Sequence, residues 1–131
     1  MIQKTWFIAW LALLAPVPAV AEEAVSYRPD VFAIAADGPQ VSAQISELSG
    51  VSPYFHIYDI KGAPVEVLAN PHLNLEFGTG PAAAATLADK GVTVLVGGMA
   101  GPKMMDVLNA RNVRFVRRVG SVEDIVQELK N

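Results

Sequence analysis

Soft-metal binding is the chemistry that the residue types of this chain favour most clearly. The sequence has no cysteine, 4 methionines and 2 histidines, so any soft metal would depend on thioether and imidazole ligands, and thioethers suit Cu(I). Met99 lies in a glycine-rich turn that leaves its sulfur accessible, and His72 lies on a long loop that could close over it. We therefore expect a metal site formed by His72 and Met99. The alternatives are a solvated loop histidine and a methionine that fills a gap in the core.

Three further side chains could act as ligands, but their positions favour structural roles. Met104 and Met105 are adjacent on a predicted helix and point about 100° apart, so we expect at least one of them in the core. His56 lies between apolar residues of a predicted strand. We expect it to be a partly buried sheet residue with a hydrogen-bond partner.

The turn from Gly97 to Pro102 could instead bind an anion at a helix N-terminus. Its GGMAGP sequence matches neither the phosphate-loop pattern nor the dinucleotide pattern, so it could equally be a tight strand-to-helix turn. Asp37 follows the first predicted strand, where a metal-dependent hydrolase could place a carboxylate. Such chemistry needs several converging carboxylates, and no second one follows a predicted strand. We expect no enzyme.

The elements that must position these residues form an α/β pattern. The apolar run from Val92 to Val96 predicts a buried strand, and Pro102 suits the first position of the next helix. Residues 40–53 fit either a weak helix or an irregular loop. The remaining strands are predicted at residues 31–36, 54–60, 65–68 and 113–116, and the remaining helices at residues 81–90 and 122–129. The order β, ββ hairpin, α, β, α, β, α predicts a three-layer α/β sandwich with a mixed five-stranded sheet. Ligands of such folds bind outside the carboxyl ends of the strands.

The N-terminal residues have the pattern of a secretory signal peptide. Lys4 precedes an apolar run, and Ala19-Val20-Ala21 provides small residues for cleavage. We expect residues 1–21 to be removed, residues 22–30 to form a lead-in, and residues 31–131 to form the domain. The protein would then be periplasmic or secreted and free of the membrane; an uncleaved anchor is the alternative. The net charge of −3 and the lack of a basic run argue against nucleic acid as a partner.

Six short motifs in order resemble a known family. They are Ala36-Asp37-Gly38, Ser52-Pro53-Tyr54-Phe55, Asn70-Pro71, Gly78-Thr79-Gly80, Leu87-Ala88-Asp89-Lys90-Gly91, and Gly97-Gly98 with Gly101-Pro102. From Val31 onwards the chain resembles the dinitrogenase iron–molybdenum cofactor biosynthesis domains, which include NifX-like and orange-protein-like proteins. The resemblance implies a ribonuclease-H-like motif with strand order 3-2-1-4-5. It also implies a carrier of a metal–sulfur cluster and an unidentified delivery or acceptor protein.

The resemblance also suggests which residues contact the cargo, and where this chain departs from its relatives. Besides Met99, we expect contacts from the residues of the motif turns: Asp37, Gly38, Gly78, Gly80, Gly97, Gly98 and Gly101. The family usually has Phe-Gly-Arg where this chain has Ser49-Gly50-Val51, and a histidine where it has Phe77. Both missing residues are plausible contacts to an anionic cluster.

Two main hypotheses follow from the sequence. The first is an exported, non-enzymatic carrier of a metal ion or small metal cluster containing copper, or molybdenum and iron. The second is a protein-interaction module that keeps the family fold without its cargo. Met99 with His72 favours the first, and the missing arginine and histidine favour the second. A hydrolase that uses Asp37 is a third and weaker hypothesis.

Overall fold

The computed structural model describes residues 29–131, which form one mixed sheet with helices on both faces. The predicted signal peptide and most of the predicted lead-in lie outside the described residues. The strands are β1 (Val31–Ala36), β2 (Tyr54–Asp59), β3 (Pro64–Ala69), β4 (Val94–Gly97) and β5 (Arg114–Arg117). The helices are α1 (Thr79–Asp89), α2 (Pro102–Ala110) and α3 (Val122–Lys130). Within the described range, no helix is both long and apolar enough to cross a membrane.

The strand order is β3-β2-β1-β4-β5, which confirms the predicted order 3-2-1-4-5. The central pair β1 and β4 is parallel, as is the pair β4 and β5, whereas β2 is antiparallel to both of its neighbours. Four strands therefore end at the same edge of the sheet, which we call the carboxyl edge. The chain reverses its direction of strand addition between β1 and β4, the place where open α/β sheets usually bind ligands.

Side chains of the central strands alternate between two separate cores. In β1, Ala33 and Ala35 face α1 and α2, whereas Ile34 and Ala36 face α3. The same alternation in β4 places Leu95 in the first core and its neighbours in the second. Because both faces are apolar, the strands need a helical layer on each side. The predicted three-layer sandwich is confirmed.

Helix ends follow local chemistry, with one difference from the sequence prediction. Helix α1 begins at Thr79, two residues before Pro81, because Gly78 adopts a left-handed conformation with φ 78° and turns the chain into the helix. Helix α2 begins at Pro102, as its preference for the first helical position predicts. Ser121 and Asp124 form the predicted capping box of α3.

Residues 44–51, which we call the crossing segment, run across the carboxyl edge between β1 and β4. The N–H of Ser46 donates to the Ala35 carbonyl at 2.9 Å, and the N–H of Gly98 donates to the Ser46 carbonyl at 3.0 Å. Ser49 starts a short 3-10 turn, and its N–H donates to the Met99 carbonyl at 2.8 Å. Of the two alternatives for residues 40–53, the irregular loop is the correct one.

Candidate functional site

Gly97 and Gly98, two of the expected cargo contacts, are covered by the crossing segment. Both glycines are buried. A β-carbon on Gly98 would lie 2.6 Å from the Glu47 carbonyl oxygen and 2.8 Å from that of Ser46, and one on Gly97 would overlap the Ser49 hydroxyl. The structure therefore corrects the expectation that Gly97 and Gly98 contact the cargo, because both lie under the crossing segment. These two glycines are needed because another stretch of backbone packs directly on them.

The space for a ligand lies instead on either side of the crossing segment. On the side of α1 and α2 there is an open groove of about 450 Å³. Three half-exposed apolar side chains line it, Leu48, Val51 and Met99, with exposed fractions of 54%, 51% and 50%. Gly80 and Gly101 also line it, and Lys103 is the one charged residue in its described lining. The groove is apolar with a single positive side chain at its edge.

Two helix N-termini open onto this groove without side-chain caps. The N-cap residues of α1 and α2 are Gly78 and Gly101, neither helix has a side-chain cap hydrogen bond, and neither has an acidic residue in its first turn. By contrast, α3 starts at the same edge with its capping box and two acidic residues. First-turn N–H groups carry partial positive charge. The first-turn N–H groups of α1 and α2 have no side-chain cap, whereas α3 has one.

The three clustered methionines have different environments. Met99 is half exposed and lines the groove through its accessible thioether. Met104 is only 2% exposed and belongs to the core, although it also forms part of the groove floor. Met105 is partly buried against the same core. The prediction that at least one of the adjacent pair is a core residue is confirmed.

His72 is directed to α1, and the structure does not place it with Met99. Its Nε2 lies 2.7 Å from the Thr86 hydroxyl, and its backbone N–H donates to the Asn70 side-chain oxygen at 3.0 Å. His72 lines neither of the two cavities that Met99 lines. The expected pairing of these two residues in one metal site is thus corrected, because the imidazole is occupied by a hydroxyl on another element.

Asp37 and Gly38 also have partners within the protein. The Ser46 hydroxyl donates to Asp37 Oδ1 at 2.6 Å, which holds the crossing segment to the end of β1. His56 Nε2 lies 2.8 Å from the Gly38 carbonyl oxygen, so His56 has the hydrogen-bond partner expected for a sheet residue, although it is fully rather than partly buried. Neither Asp37 nor Gly38 lines the groove. Among residues 29–131, no three histidine or acidic side chains converge as a metal site.

A second cavity, which we call the hollow, lies on the other side of the crossing segment. It measures about 330 Å³ and is bounded by the ends of β4 and β5. Arg117, Arg118 and Glu47 line it, and Met99 contributes to its wall as well as to that of the groove. The two cavities are thus neighbours that share one side chain.

Sequence reasoning missed several residues that line these cavities. Leu48 and Val51 have a spacing typical of a buried helix face, but they belong to an irregular segment and are half exposed. Lys103 lies in helix α2 and Arg117 is the last residue of β5, one residue beyond the predicted strand, and only the fold shows which cavity each lines. The one available signal was the spacing of Ile45, Leu48 and Val51 just before Ser52-Pro53, which fits either a weak helix or an irregular loop.

The fold and site together define a class: a three-layer α/β domain with ligand space at the carboxyl edge of its sheet. The chain belongs to the dinitrogenase iron-molybdenum cofactor family, whose model matches residues 30–131. No curated protein is significantly similar to it in sequence.

Two solved structures resemble the chain closely. One is the apo form of the orange protein from Desulfovibrio gigas, with 26% identity and a TM-score of 0.71 over 79% of this chain and 88% of that one. The other is a putative NifB protein from Thermotoga, with 30% identity and a TM-score of 0.65 over 75% of this chain and 84% of that one. Both support the strand order and the layer arrangement described above.

Proposed function

We propose that this protein is an exported, non-enzymatic carrier of a small metal–sulfur cluster or metal ion, which binds in the groove between α1 and α2. The observation that carries the proposal is the convergence of two uncapped helix N-termini on one apolar groove. Membership of a family named for the iron–molybdenum cofactor supports a metal cluster as the cargo.

The groove suits a polarisable anion. Sulfide-bridged clusters carry negative charge on soft sulfur atoms, which accept hydrogen bonds from backbone N–H groups and tolerate apolar walls. The first turns of α1 and α2 supply N–H groups and the positive ends of two helix dipoles, and Lys103 adds one full charge. Leu48 and Val51 would cover apolar faces of the cargo. Because the chain has no cysteine, no thiolate ties the cargo down, which suits reversible transfer to an acceptor protein.

Met99 is the residue that would contact a metal directly. Its thioether is half exposed at the edge of the groove, and thioethers bind Cu(I) in preference to zinc. A copper-containing cluster, or a molybdenum- and iron-containing one with an open metal position, fits this donor. His72 is not part of the proposed site.

An exposed aromatic loop favours a second candidate function. Phe77 is 83% exposed, and Leu73 and Leu75 on the same loop are nearly half exposed. Apolar side chains in such positions are typical of surfaces that contact another protein. A protein-interaction module without cargo would use this loop and leave the groove empty.

Titration of the purified protein with tetrathiomolybdate, alone and with Cu(I), would test the proposal by absorption and amide NMR. We expect binding with the largest shifts at the N–H groups of Gly80, Lys103 and Met104. The N–H of Asp124, whose partner is the Ser121 hydroxyl at 3.2 Å, is the internal control and should not shift. Absence of binding, or equal shifts at all three helix N-termini, would reject the groove as a cargo site and favour the interaction module.

A further inference from the structure

The hollow differs from the groove in its charge. It is lined by Arg117 and Arg118 at the end of β5 and by Glu47 and Gln44 of the crossing segment. Two positive groups and one negative group leave the described lining with an excess of positive charge. The apolar groove, in contrast, has one lysine at its edge.

Arg117 is the arginine whose charge has no acidic partner in the described part of the chain. Among residues 29–131, no carboxylate lies within 4.0 Å of its guanidinium. Arg118 is partly engaged, since its Nη1 donates to the Arg117 carbonyl at 3.0 Å and its Nε lies 3.8 Å from a Glu128 oxygen. An arginine that lines a cavity and has no acidic partner is well suited to bind an anion from solution.

We propose that the hollow is a binding site for a small tetrahedral oxyanion, of the phosphate or molybdate type. A guanidinium group donates two parallel hydrogen bonds to such an anion, and Arg117, which has no carboxylate within 4.0 Å among residues 29–131, can contribute such a pair. The cavity of about 330 Å³ is large enough for the anion and several waters. Helix α3 cannot supply the charge, because Ser121 and Asp124 already cap its N-terminus. The arginines are therefore the principal donors.

Glu47 makes the proposal sharply testable, because it lines the same cavity and its carboxylate repels an anion. Its conversion to glutamine should increase the affinity, whereas loss of Arg117 should reduce it. The site is independent of the proposed carrier function: the anion binds across the crossing segment from the groove, and the two share only Met99.

The experiment is a titration with sodium phosphate and, separately, sodium molybdate, followed by calorimetry and by the amide shifts of Val119 and Gly120. We expect Arg117→Gln to weaken binding at least about tenfold, as loss of charged hydrogen bonds implies, and Glu47→Gln to strengthen it. Arg114→Gln is the matched control: it removes the same charge from the other end of β5, where Arg114 pairs with Asp30 at 3.2 Å. It should leave the affinity unchanged.

Two outcomes would overturn the proposal. The first is a parent protein that binds neither anion at millimolar concentration. The second is an equal loss of affinity in Arg114→Gln and Arg117→Gln, which would indicate a diffuse surface charge effect. If the protein prefers one of the two anions, that preference indicates the class of anion that the site binds, and the assignment of the site is retained. All three substituted residues are solvent-exposed, and circular dichroism checks that each variant is folded.

Discussion

The hydroxyl oxygen of Ser49 lies in the space that a β-carbon on Gly97 would occupy. Ser49 is completely buried, and its hydroxyl has no hydrogen-bond partner among the described residues. The contact is therefore one of close packing between the crossing segment and β4. Gly98, the next residue, likewise has no room for a β-carbon, because the backbone of Ser46 and Glu47 packs against it.

This packing predicts that Gly98→Val is strongly destabilising. The new β-carbon would lie 2.6 Å from the Glu47 carbonyl oxygen, so the crossing segment must move. We expect a loss of about 2–3 kcal/mol or more in the free energy of unfolding, as for overpacked cores. Gly101→Ala is the control, because a β-carbon there meets nothing within 4 Å. Urea unfolding measures both, and a Gly98→Val midpoint equal to that of Gly101→Ala would contradict the explanation.

Met99→Leu should weaken cargo binding with little change in stability. Leucine keeps most of the side-chain volume and removes the sulfur, and the residue is half exposed. Competition with a Cu(I) chelator measures the affinity, and zinc serves as the poorly bound comparison. The matched control is Met105→Leu, since Met105 is partly buried against the core and does not line the groove. If the two variants bind the cargo with equal affinity, Met99 is not part of the site.

His72→Ala should leave the cargo affinity unchanged, because the imidazole is bonded to Thr86 and lies outside the groove lining. The double variant with Met99→Leu should then behave like Met99→Leu alone in the same competition. A non-additive loss would instead show that the two side chains hold one metal. The expected effect of His72→Ala on stability is small, about 1 kcal/mol, for loss of one partly exposed hydrogen bond.

The buried Tyr58 phenol should make the stability of the folded protein sensitive to alkaline pH. Burial raises the pKa of the Tyr58 phenol above its ordinary value of 10.0. Above about pH 10 the unfolded chain therefore loses this proton more readily than the folded protein, and stability falls as the pH rises. Tyr58→Phe should unfold at about the same urea concentration as the parent at pH 7 but resist alkali better. Parallel loss of stability in both proteins from pH 9 to 11 would contradict this.

The exported form should begin at Glu22. Ala19-Val20-Ala21 follows a short apolar run, and together they have the pattern of a cleavable signal peptide. Intact mass of the protein recovered from the periplasm or medium should show the loss of residues 1–21. A full-length product in the membrane fraction would favour the uncleaved anchor, and replacement of Ala19 and Ala21 by bulky residues provides the control for processing.

The regular elements were predictable because their signals are local. The buried run from Val92, the proline at the start of α2 and the capping box at Ser121 each depend on neighbours within a few residues. The proline and the capping box lie in their predicted helices, whereas β4 spans Val94–Gly97 and so begins two residues later than the apolar run. The crossing segment was not predictable, because its hydrogen bonds join Ser46 to Ala35 and Gly98, far apart in sequence. The position of the site was predicted incorrectly for the same reason. The glycines marked the correct edge of the sheet, but nothing local indicates that the crossing segment covers them.

The double attachment of Ser46 has a consequence for the order of folding. One of its hydrogen bonds goes to β1 and the other to the residue after β4, so the crossing segment has no complete partner until those two distant strands have paired. Such long-range closure is slow, because loop entropy is lost before the contacts form. We therefore expect the groove and the hollow to be absent from early compact states and to appear together in a late step. Pulse-labelled hydrogen exchange would show this as late protection of the Gly98 amide relative to those of β1 and β2.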